Sequence, residues 1–236
     1  EDGIVRFISG KKIALESDLF KEKKILLSIF DKSIYSKTIS YDIQENFHEL
    51  ERTNIIFNKI FNNSLTPDIY FLDKYLKDII GKKKINKNYC LINTGGYDVH
   101  RKWNIKNFIK LGNKMEKQIK LTPIYCGLEL EKKLIENCPL KISDTSINLC
   151  DKTTIKEYIN LVYYSNLSVS NDSSCTHIAK FLNKKNLCIK SKYKEGYFTP
   201  YPSYSKNENV ITISKKYIHN VNIDEALSLC LDLNNN

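Results

Sequence analysis

The sequence has little of the residues that mark several common protein classes. It contains 8 Gly and 5 Pro among 236 residues, too few for a collagen or a low-complexity linker. No apolar run approaches the roughly 20 residues that a membrane-spanning helix needs. Hydrophobic residues make up 42% and charged residues 27% of the chain, as in ordinary globular proteins. This composition and length indicate one large domain or two small ones with an ample core.

Paired cysteine motifs are also absent. The 7 Cys include no C-x-x-C pair and no Cys/His set at zinc-finger spacing. Several of them, such as Cys90 and Cys188, lie inside apolar runs. We therefore expect free, buried, reduced thiols in a cytoplasmic protein, and no metal site.

Arginine is scarce although the chain is strongly basic. Only three of the 37 Lys+Arg residues are Arg, and the formal net charge is +10. The lysines are spread along the chain without an arginine-rich stripe, so nucleic acid is not an expected partner. Two interpretations of the charge remain open: a solvated lysine-rich surface, or attraction to anions such as nucleotide phosphates or an acidic membrane face.

From residue 89 onward, short apolar runs alternate with segments of helical period. Strands are predicted at 89–93, 122–126, 147–149, 167–170, 187–189 and 210–213, and helices at 105–119, 128–137, 154–164, 174–183 and 222–231. Repeated strand–helix units of this kind predict a parallel sheet with helices on both faces. We therefore expect an α/β protein with a complete Rossmann-like domain over 89–236.

The first 88 residues are less regular. A strand over 24–30, a helix that begins at Asp42 and continues to Phe61, and a short helix over 73–80 are predicted there. The basic, polar stretch 81–88 (GKKKINKN) is the predicted linker. Residues 1–80 then form part of a second domain. Because the chain lacks an initiator methionine and its first segment has the pattern of mid-fold sequence, we expect it to begin inside a longer natural chain.

Two polar segments follow predicted strands, at the sheet edge where ligands bind in such folds. The turn Thr94-Gly95-Gly96 follows the strand 89–93, and its glycines allow backbone amides to approach a phosphate. An ordinary tight turn is the alternative. The segment 170–179 (SNDSSCTHIA) opens a helix whose first amides and hydroxyls are suited to an anion. Its alternative is an N-cap followed by a packing histidine, but the dense polar cluster favours a site.

Two charged segments lie near the same edge. Arg101 and Lys102 precede a predicted helix and are suited to a diphosphate, Arg through its bidentate fork and Lys as a point charge. A solvated basic loop with Trp103 in the core is the alternative. Glu129 follows the strand 122–126, where a carboxylate can accept hydrogen bonds from ribose hydroxyls. It can equally be a first-turn glutamate favoured by the helix dipole.

In this order and at these separations, the four segments resemble glycosyltransferase family 9, the ADP-heptose:lipopolysaccharide heptosyltransferases and their relatives. The family's glycine-containing turn, K-x-W motif, G-x-E motif and G-N-D-T-G-x-x-H-L-A signature are similar to NTGG at 93–96, RKW at 101–103, GLE at 127–129 and SNDSSCTHIA at 170–179. The resemblance covers about residues 89–213. Thr94 stands where the family usually has Pro, and Ser174 where it has Gly.

The resemblance implies a GT-B architecture, with an acceptor-side domain over 1–80 and a nucleotide-sugar-binding domain over 89–236. It implies inverting, metal-independent transfer of a heptose or related sugar from an ADP-sugar to a lipopolysaccharide core acceptor, without a cofactor. The implied partners are the nucleotide sugar and a lipid-linked oligosaccharide, with peripheral contact at the inner membrane. The departures from the family motifs leave open a second interpretation, a non-catalytic or divergent nucleotide-sugar-binding module.

The resemblance also implies roles for individual residues. Asp172 is expected to contact the donor sugar and Glu129 the nucleoside ribose. The acidic residue that serves as general base in the family is expected upstream of Glu1, so no catalytic base is assigned within the chain. The other expected donor-site residues surround the diphosphate: Thr94, Gly95, Gly96, Arg101, Lys102, Ser173, Ser174 and His177.

Overall fold

The computed structural model describes residues 13–17, 37–41, 48–61, 71–83, 85–96, 99–192, 198–201 and 209–235. The chain divides into two compact units, 1–68 and 69–236. The strand predicted over 24–30 and the predicted helix start at Asp42 lie outside the described residues. None of the helices in the described ranges is long and apolar enough to cross a membrane.

The first unit contains a parallel strand pair and a helix. Strands β1 (Ile13–Ser17) and β2 (Lys37–Tyr41) pair in parallel, and α1 (Glu49–Phe61) follows. The start of α1 is held by side chains, because the His48 amide donates to the Glu51 carboxylate at 3.2 Å and the Leu50 amide donates to His48 Nδ1 at 3.1 Å. The helix predicted to end near Phe61 is therefore confirmed over its described part.

The second unit is built around a parallel sheet. Its strands are β3 (Tyr89–Asn93), β4 (Thr122–Cys126), β5 (Ile147–Asn148), β6 (Leu167–Asn171), β7 (Asn186–Ser191) and β8 (Val210–Lys215), in the order β5-β4-β3-β6-β7-β8. The helices are α2 (Phe71–Ile79), α3 (Ile105–Ile119), α4 (Glu129–Glu136), α5 (Ile155–Tyr164), α6 (Ser174–Phe181) and α7 (Ile223–Asn235). All neighbouring strands are parallel, which confirms the predicted alternation of strands and helices.

Side chains of β3 alternate between two apolar clusters, as a strand with both faces covered requires. Cys90 and Ile92 pack with residues of α3 and α7. Tyr89 and Leu91 pack instead with residues of α5 and α6. The sheet is therefore covered by helices on both faces, and the polar ends of its strands remain as the sites where ligands can approach.

Residues 71–83 lie with the sheet unit. Helix α2 packs against α5, the Tyr164 hydroxyl donates to the Gly81 carbonyl at 2.7 Å, and the Gly81 amide donates to Asn160 Oδ1 at 2.7 Å. The unit boundary therefore falls before α2 and not at the predicted linker over 81–88, because these long-range contacts leave no trace in local composition. The acceptor-side and donor-side roles assigned to the two parts of the chain stay predictions.

The order of the strands places a topological switch point between β3 and β6. From β3 the sheet extends through β4 and β5 on one side and through β6, β7 and β8 on the other. Asn93 at the end of β3 lies opposite Ser170 of β6. In open α/β sheets, ligands bind outside the carboxyl ends of the strands at such a point. The predicted turn at 94–96 and the segment that begins at Asp172 both start here.

All seven cysteines are free and buried, which confirms this part of the expectation from the sequence. Burial raises the pKa of Cys90, Cys150 and Cys188 to about 12 in each case. The thiolate is the reactive form of cysteine. These cysteines therefore act as small apolar core residues in the folded protein.

Gly112 allows α3 to lie directly on the sheet. A Cβ atom at this position would come within 2.3 Å of the Tyr125 hydroxyl and 2.8 Å of Ile92 Cδ1. We expect Gly112→Ala to lower the free energy of unfolding by about 1–3 kcal/mol through overpacking, although alanine is the better helix former. Urea-induced unfolding measures the change.

Tyr125→Phe provides a second variant that tests the cause of this loss. The Tyr125 hydroxyl is buried and has no hydrogen-bond partner among the described residues, so removing it costs little. We expect the double variant Gly112→Ala/Tyr125→Phe to be more stable than Gly112→Ala alone. Lys110→Ala, on the exposed side of α3, should leave the free energy of unfolding unchanged. A Gly112→Ala protein as stable as the parent would contradict this packing.

Candidate functional site

Asn171, the last residue of β6, joins three chain segments at the switch point. Its Nδ2 donates to the Thr94 carbonyl at 3.0 Å and to the Gly95 carbonyl at 3.1 Å. Its Oδ1 accepts a hydrogen bond from the Trp103 amide at 2.9 Å. Because the side chain is fully buried, water does not compete for these bonds. The turn after β3, the basic segment before α3 and the end of β6 are thereby held together.

Trp103 anchors the basic segment in the core. The indole is buried, its Nε1 donates to the Val221 carbonyl at 3.3 Å, and its ring lies edge-on to Phe108 with centroids 5.1 Å apart. Trp103 is therefore a core residue. Arg101 and Lys102 are fixed immediately before this anchor.

Asp172 lies between two cations. Its Oδ2 is 3.0 Å from Arg101 Nη2 and 3.7 Å from Lys190 Nζ, and its side chain is only 5% exposed. Arg101 Nη2 also donates to the Asp172 carbonyl at 2.8 Å. The buried Lys190 is held further by Thr199, whose carbonyl accepts at 2.6 Å and whose hydroxyl lies at 3.1 Å. The carboxylate is thus oriented and its negative charge more than balanced.

Two buried oxygen atoms at the switch point are unpaired. Asp172 Oδ1 and Thr94 Oγ1 have no hydrogen-bond partner within the part of the chain that the structure describes. Both residues are strongly buried, at 6% and 5% exposure. Buried polar atoms in native proteins are almost always paired. The two atoms follow β6 and β3 respectively, so each side of the switch point offers an oxygen to a bound ligand.

The first turn of α6 adds backbone donors to this site. Its N-cap is Ser173, which has extended backbone angles and makes no side-chain capping bond. The Ser173 hydroxyl instead lies 3.5 Å from Asn93 Oδ1. A helix start without a side-chain cap leaves amide groups for an anion, which the helix dipole also favours. Ser174 is the exposed first residue of the helix.

An aromatic segment, 198–201, contacts the same residues. Tyr201 hydrogen-bonds through its hydroxyl to Nδ1 of His177, and the Arg101 guanidinium lies 5.6 Å from the centre of the Phe198 ring. Burial, with a smaller effect of the Asp172 charge, raises the pKa of Tyr201, so its hydroxyl stays protonated. His177 is therefore held by Tyr201 one turn inside α6. This segment had no recognisable signal in the sequence.

Two of the three glutamates of α4, Glu129 and Glu131, lie in different surroundings. Glu129, the residue of the G-x-E motif, is exposed and forms an ion pair with Lys133 at 2.8 Å. Glu131 is buried, accepts a hydrogen bond from the Leu128 amide at 2.9 Å, and lies 3.9 Å from Lys102 Nζ. Arg101 and Lys102 thus contact different carboxylates, one on each side of the turn after β3. Glu131 has no local signal in the sequence, because its position depends on this tertiary contact.

Gly127 makes room for Glu131, and Gly95 borders the same side chain. A Cβ atom at Gly127 would lie 2.6 Å from Glu131 Cβ, which no rotamer change of Glu131 relieves. A Cβ atom at Gly95 would lie 3.8 Å from Glu131 Cδ, an ordinary van der Waals contact. The Glu131 side chain therefore fills the space between the turns that follow β3 and β4.

The structure brings most of the predicted residues to one place and leaves others apart. Thr94 and Gly95 contact Asn171 through their carbonyls. Arg101 pairs with Asp172, and the Ser173 hydroxyl contacts Asn93. Gly96 lies against Lys102 and Asn171, because a Cβ there would be 3.3 Å from Lys102 Cγ and 3.8 Å from Asn171 Nδ2. Glu129 does not take part in these contacts. Asn93 and Asn171 lie in two of the motifs quoted above but had no assigned role. The residues outside those motifs are Glu131, Lys190, Phe198, Thr199 and Tyr201.

The parallel sheet, with cations and unpaired buried oxygens at its switch point, defines a Rossmann-like α/β protein. Within that class, the family model for glycosyltransferase family 9 (heptosyltransferase) matches residues 30–227. The chain belongs to this family. The match confirms the family that the four segments indicated and extends beyond the range over which the resemblance was recognised.

Comparison with individual proteins agrees with the family. Lipopolysaccharide heptosyltransferase 1 from Campylobacter coli is 25% identical over 243 aligned positions, covering 95% of this chain and 68% of the relative. The structure of E. coli heptosyltransferase WaaC with ADP-2-deoxy-2-fluoro heptose superposes with a TM-score of 0.66 at 14% identity, covering 96% of this chain and 66% of that one. A glycosyl transferase family 9 structure from Veillonella parvula gives 0.61 at 11% identity over 86% of this chain and 64% of that one.

These likenesses show the fold. They confirm the predicted α/β class of GT-B type, the fold of the solved heptosyltransferases. The chain spans 50% of the length of E. coli heptosyltransferase II and 66% of the length of WaaC.

A pair of glycine variants tests the position of Glu131. We expect Gly127→Ala to destabilise the protein by about 1–3 kcal/mol, because the new methyl group overlaps the Glu131 side chain near its backbone. Gly95→Ala, the matched control at the other turn, should change stability by no more than about 0.5 kcal/mol. Chemical denaturation measures both. Equal losses in the two variants would show that Glu131 does not lie between the turns.

Proposed function

We propose that the protein transfers a heptose, or a related sugar, from an ADP-sugar to a lipopolysaccharide core acceptor. The observation that carries the proposal is the pair of unpaired buried oxygens, Thr94 Oγ1 and Asp172 Oδ1, at the switch point of a family 9 fold. The relative from Campylobacter coli is named a lipopolysaccharide heptosyltransferase, and WaaC structures contain ADP or an ADP-heptose analogue. These names support the choice of donor and acceptor.

The donor diphosphate is proposed to lie between the Thr94–Gly96 turn and the first turn of α6. Two features support this position: the available amides of an uncapped helix start and the Thr94 hydroxyl. Asp172, which follows β6, is then placed to accept a hydrogen bond from a sugar hydroxyl through its unpaired Oδ1. The ribose is proposed to lie near the loop after β4, where the exposed Glu129 can reach its hydroxyls.

Stabilisation of the leaving group is the main catalytic task of the described residues. Breaking the glycosidic bond leaves negative charge on the nucleoside diphosphate, which fixed cations and amides stabilise. Arg101, Lys102 and Lys190 oppose the carboxylates of Asp172 and Glu131, so three positive charges face two negative ones. This excess of one positive charge supports departure of the diphosphate without a metal ion. Inversion is proposed from the family resemblance: the acceptor hydroxyl attacks from the opposite side of the sugar and gives its proton to the general base that the resemblance implies, while the bond to the diphosphate breaks.

The acceptor is proposed to be lipid-linked, which would bring the protein to the cytoplasmic face of the inner membrane. A non-catalytic or divergent nucleotide-sugar-binding module is the second candidate. Thr94 and Ser174 favour it, because they replace the Pro and Gly of the family motifs and Ser174 adds a side chain at the helix start. The two candidates differ in turnover and agree in donor binding.

Asp172→Asn separates sugar recognition from diphosphate binding. The change keeps the shape of the side chain but removes the charge that pairs with Arg101 and Lys190. We expect the full-length protein to bind ADP as tightly as before or more tightly, since these cations become available to the diphosphate. Transfer from ADP-heptose should fall by about 100-fold or more, as for loss of one positioned transition-state contact. Isothermal titration and a transfer assay measure the two quantities.

Asp232→Asn is the matched control, because Asp232 is exposed on α7 and the charge change is the same. It should leave both binding and transfer unaltered. Failure of the parent protein to bind ADP or ADP-heptose would overturn the proposed function. Donor binding without transfer to any lipopolysaccharide acceptor would favour the binding module, and parental turnover in Asp172→Asn would remove Asp172 from the site.

A further inference from the structure

A cavity lies along α5, and none of the residues assigned to the donor site lines it. Its volume is about 660 Å³, within the range of about 300–1,000 Å³ typical of small-molecule pockets. We call it the α5 groove and define it by its apolar floor and its basic rim. The floor consists of Ile85, Tyr89, Ile147, Leu149 and Leu161, and the rim carries Lys82, Lys83, Lys152 and Lys156.

The rim of the groove is rich in cations that are not neutralised. Lys82, Lys83 and Lys156 are exposed, and none of them forms an ion pair within the described ranges. The carboxylate that lines the groove belongs to Glu157, which accepts hydrogen bonds from the Thr154 amide and hydroxyl at 3.0 Å each. It therefore serves as the capping residue of α5.

The polar groups in the wall are already used. Asn160 accepts from the Gly81 amide at 2.7 Å and donates to the Lys156 carbonyl at 2.7 Å. The Tyr164 hydroxyl donates to the Gly81 carbonyl at 2.7 Å. These bonds hold the basic stretch that begins at Gly81 against α5. The interior thus offers apolar surface and few free hydrogen-bonding groups, whereas the mouth offers positive charge.

We propose that the α5 groove binds one acyl chain of an anionic phospholipid, with the headgroup phosphate against Lys82, Lys83 and Lys156. An amphiphile of this kind has the complementary arrangement, because its chain needs apolar surface and its phosphate needs cations. The proposal uses residues outside the donor site and does not rest on the proposed function. It also gives a role to the basic stretch 81–83, which the donor site does not use.

Three probes, each kept below its micelle concentration, separate the two parts of the proposed ligand. Dodecyl phosphate carries both chain and anion, inorganic phosphate carries the anion alone, and dodecyl maltoside carries the chain with an uncharged head. We expect saturable binding of dodecyl phosphate to the full chain in isothermal titration, and much weaker binding of the other two. Complete displacement of dodecyl phosphate by inorganic phosphate would show that the site binds only the anion. Equal binding of dodecyl maltoside would show that it binds any detergent chain. Either result overturns the proposal.

Charge-matched variants locate the binding. Lys82→Glu/Lys83→Glu should weaken dodecyl phosphate binding by about tenfold or more, since each lysine near an anionic headgroup contributes several-fold to affinity. Lys110→Glu/Lys117→Glu changes the net charge equally at exposed positions of α3, across the sheet from α5, and should retain binding. Equal loss in both variants would show attraction by net charge and would contradict the groove.

A third variant blocks the groove without changing charge. Gly81 lines it, and among the described residues a Cβ atom there would meet Asn160 Oδ1, at 3.8 Å. The Gly81 backbone therefore has room for a side chain to begin, and circular dichroism measures whether Gly81→Phe folds. We expect Gly81→Phe to lose dodecyl phosphate binding and to retain ADP binding.

Vesicle flotation tests the same site with phospholipid. The parent should bind vesicles of phosphatidylglycerol in phosphatidylcholine and should not bind vesicles of phosphatidylcholine alone. Gly81→Phe should bind the phosphatidylglycerol vesicles less than the parent does. A folded Gly81→Phe protein with parental binding to both probes overturns the proposal.

Discussion

The buried side chain of Asn171 is the constraint on which the candidate site depends. Three hydrogen bonds from one amide group fix the turn after β3, the segment before α3 and the end of β6 relative to one another. The side chain has the donors and the acceptor that these bonds need, and an isosteric aspartate would set an oxygen against two carbonyls. Because Arg101 and Asp172 are each one or two residues from these bonds, their ion pair follows from the same geometry.

The charges around the switch point are arranged in two pairs that share one turn. Arg101 contacts Asp172 on the β6 side, and Lys102 lies near Glu131 on the β4 side, while Lys190 supplies the additional positive charge from β7. Buried carboxylates are stable only when cations and hydrogen bonds accompany them. The arrangement therefore keeps the site preorganised for an anion without leaving a buried charge unpaired.

Much of the fold was predictable from local sequence, whereas the site was predictable only in outline. The strand at Tyr89–Asn93, the helix at Ile105–Ile119 and the capping box at Thr154 were expected and observed, because period and caps are local signals. The motif order located the loops after β3 and β6. Contacts between distant segments determine the positions of Glu131 and Lys190 and the packing of residues 71–83 on α5, so local sequence does not predict them. The G-x-E motif indicates Glu129 instead, which is exposed.

The most direct test of the central claim, that the switch point is the donor site, is a crystal structure of the full-length protein with ADP. The account predicts the diphosphate between the 94–96 turn and the start of α6, with an oxygen within hydrogen-bond distance of Thr94 Oγ1 and the ribose beside the loop after β4. ADP bound elsewhere on the molecule, with the Thr94 and Asp172 oxygens not in contact with it, would contradict the account.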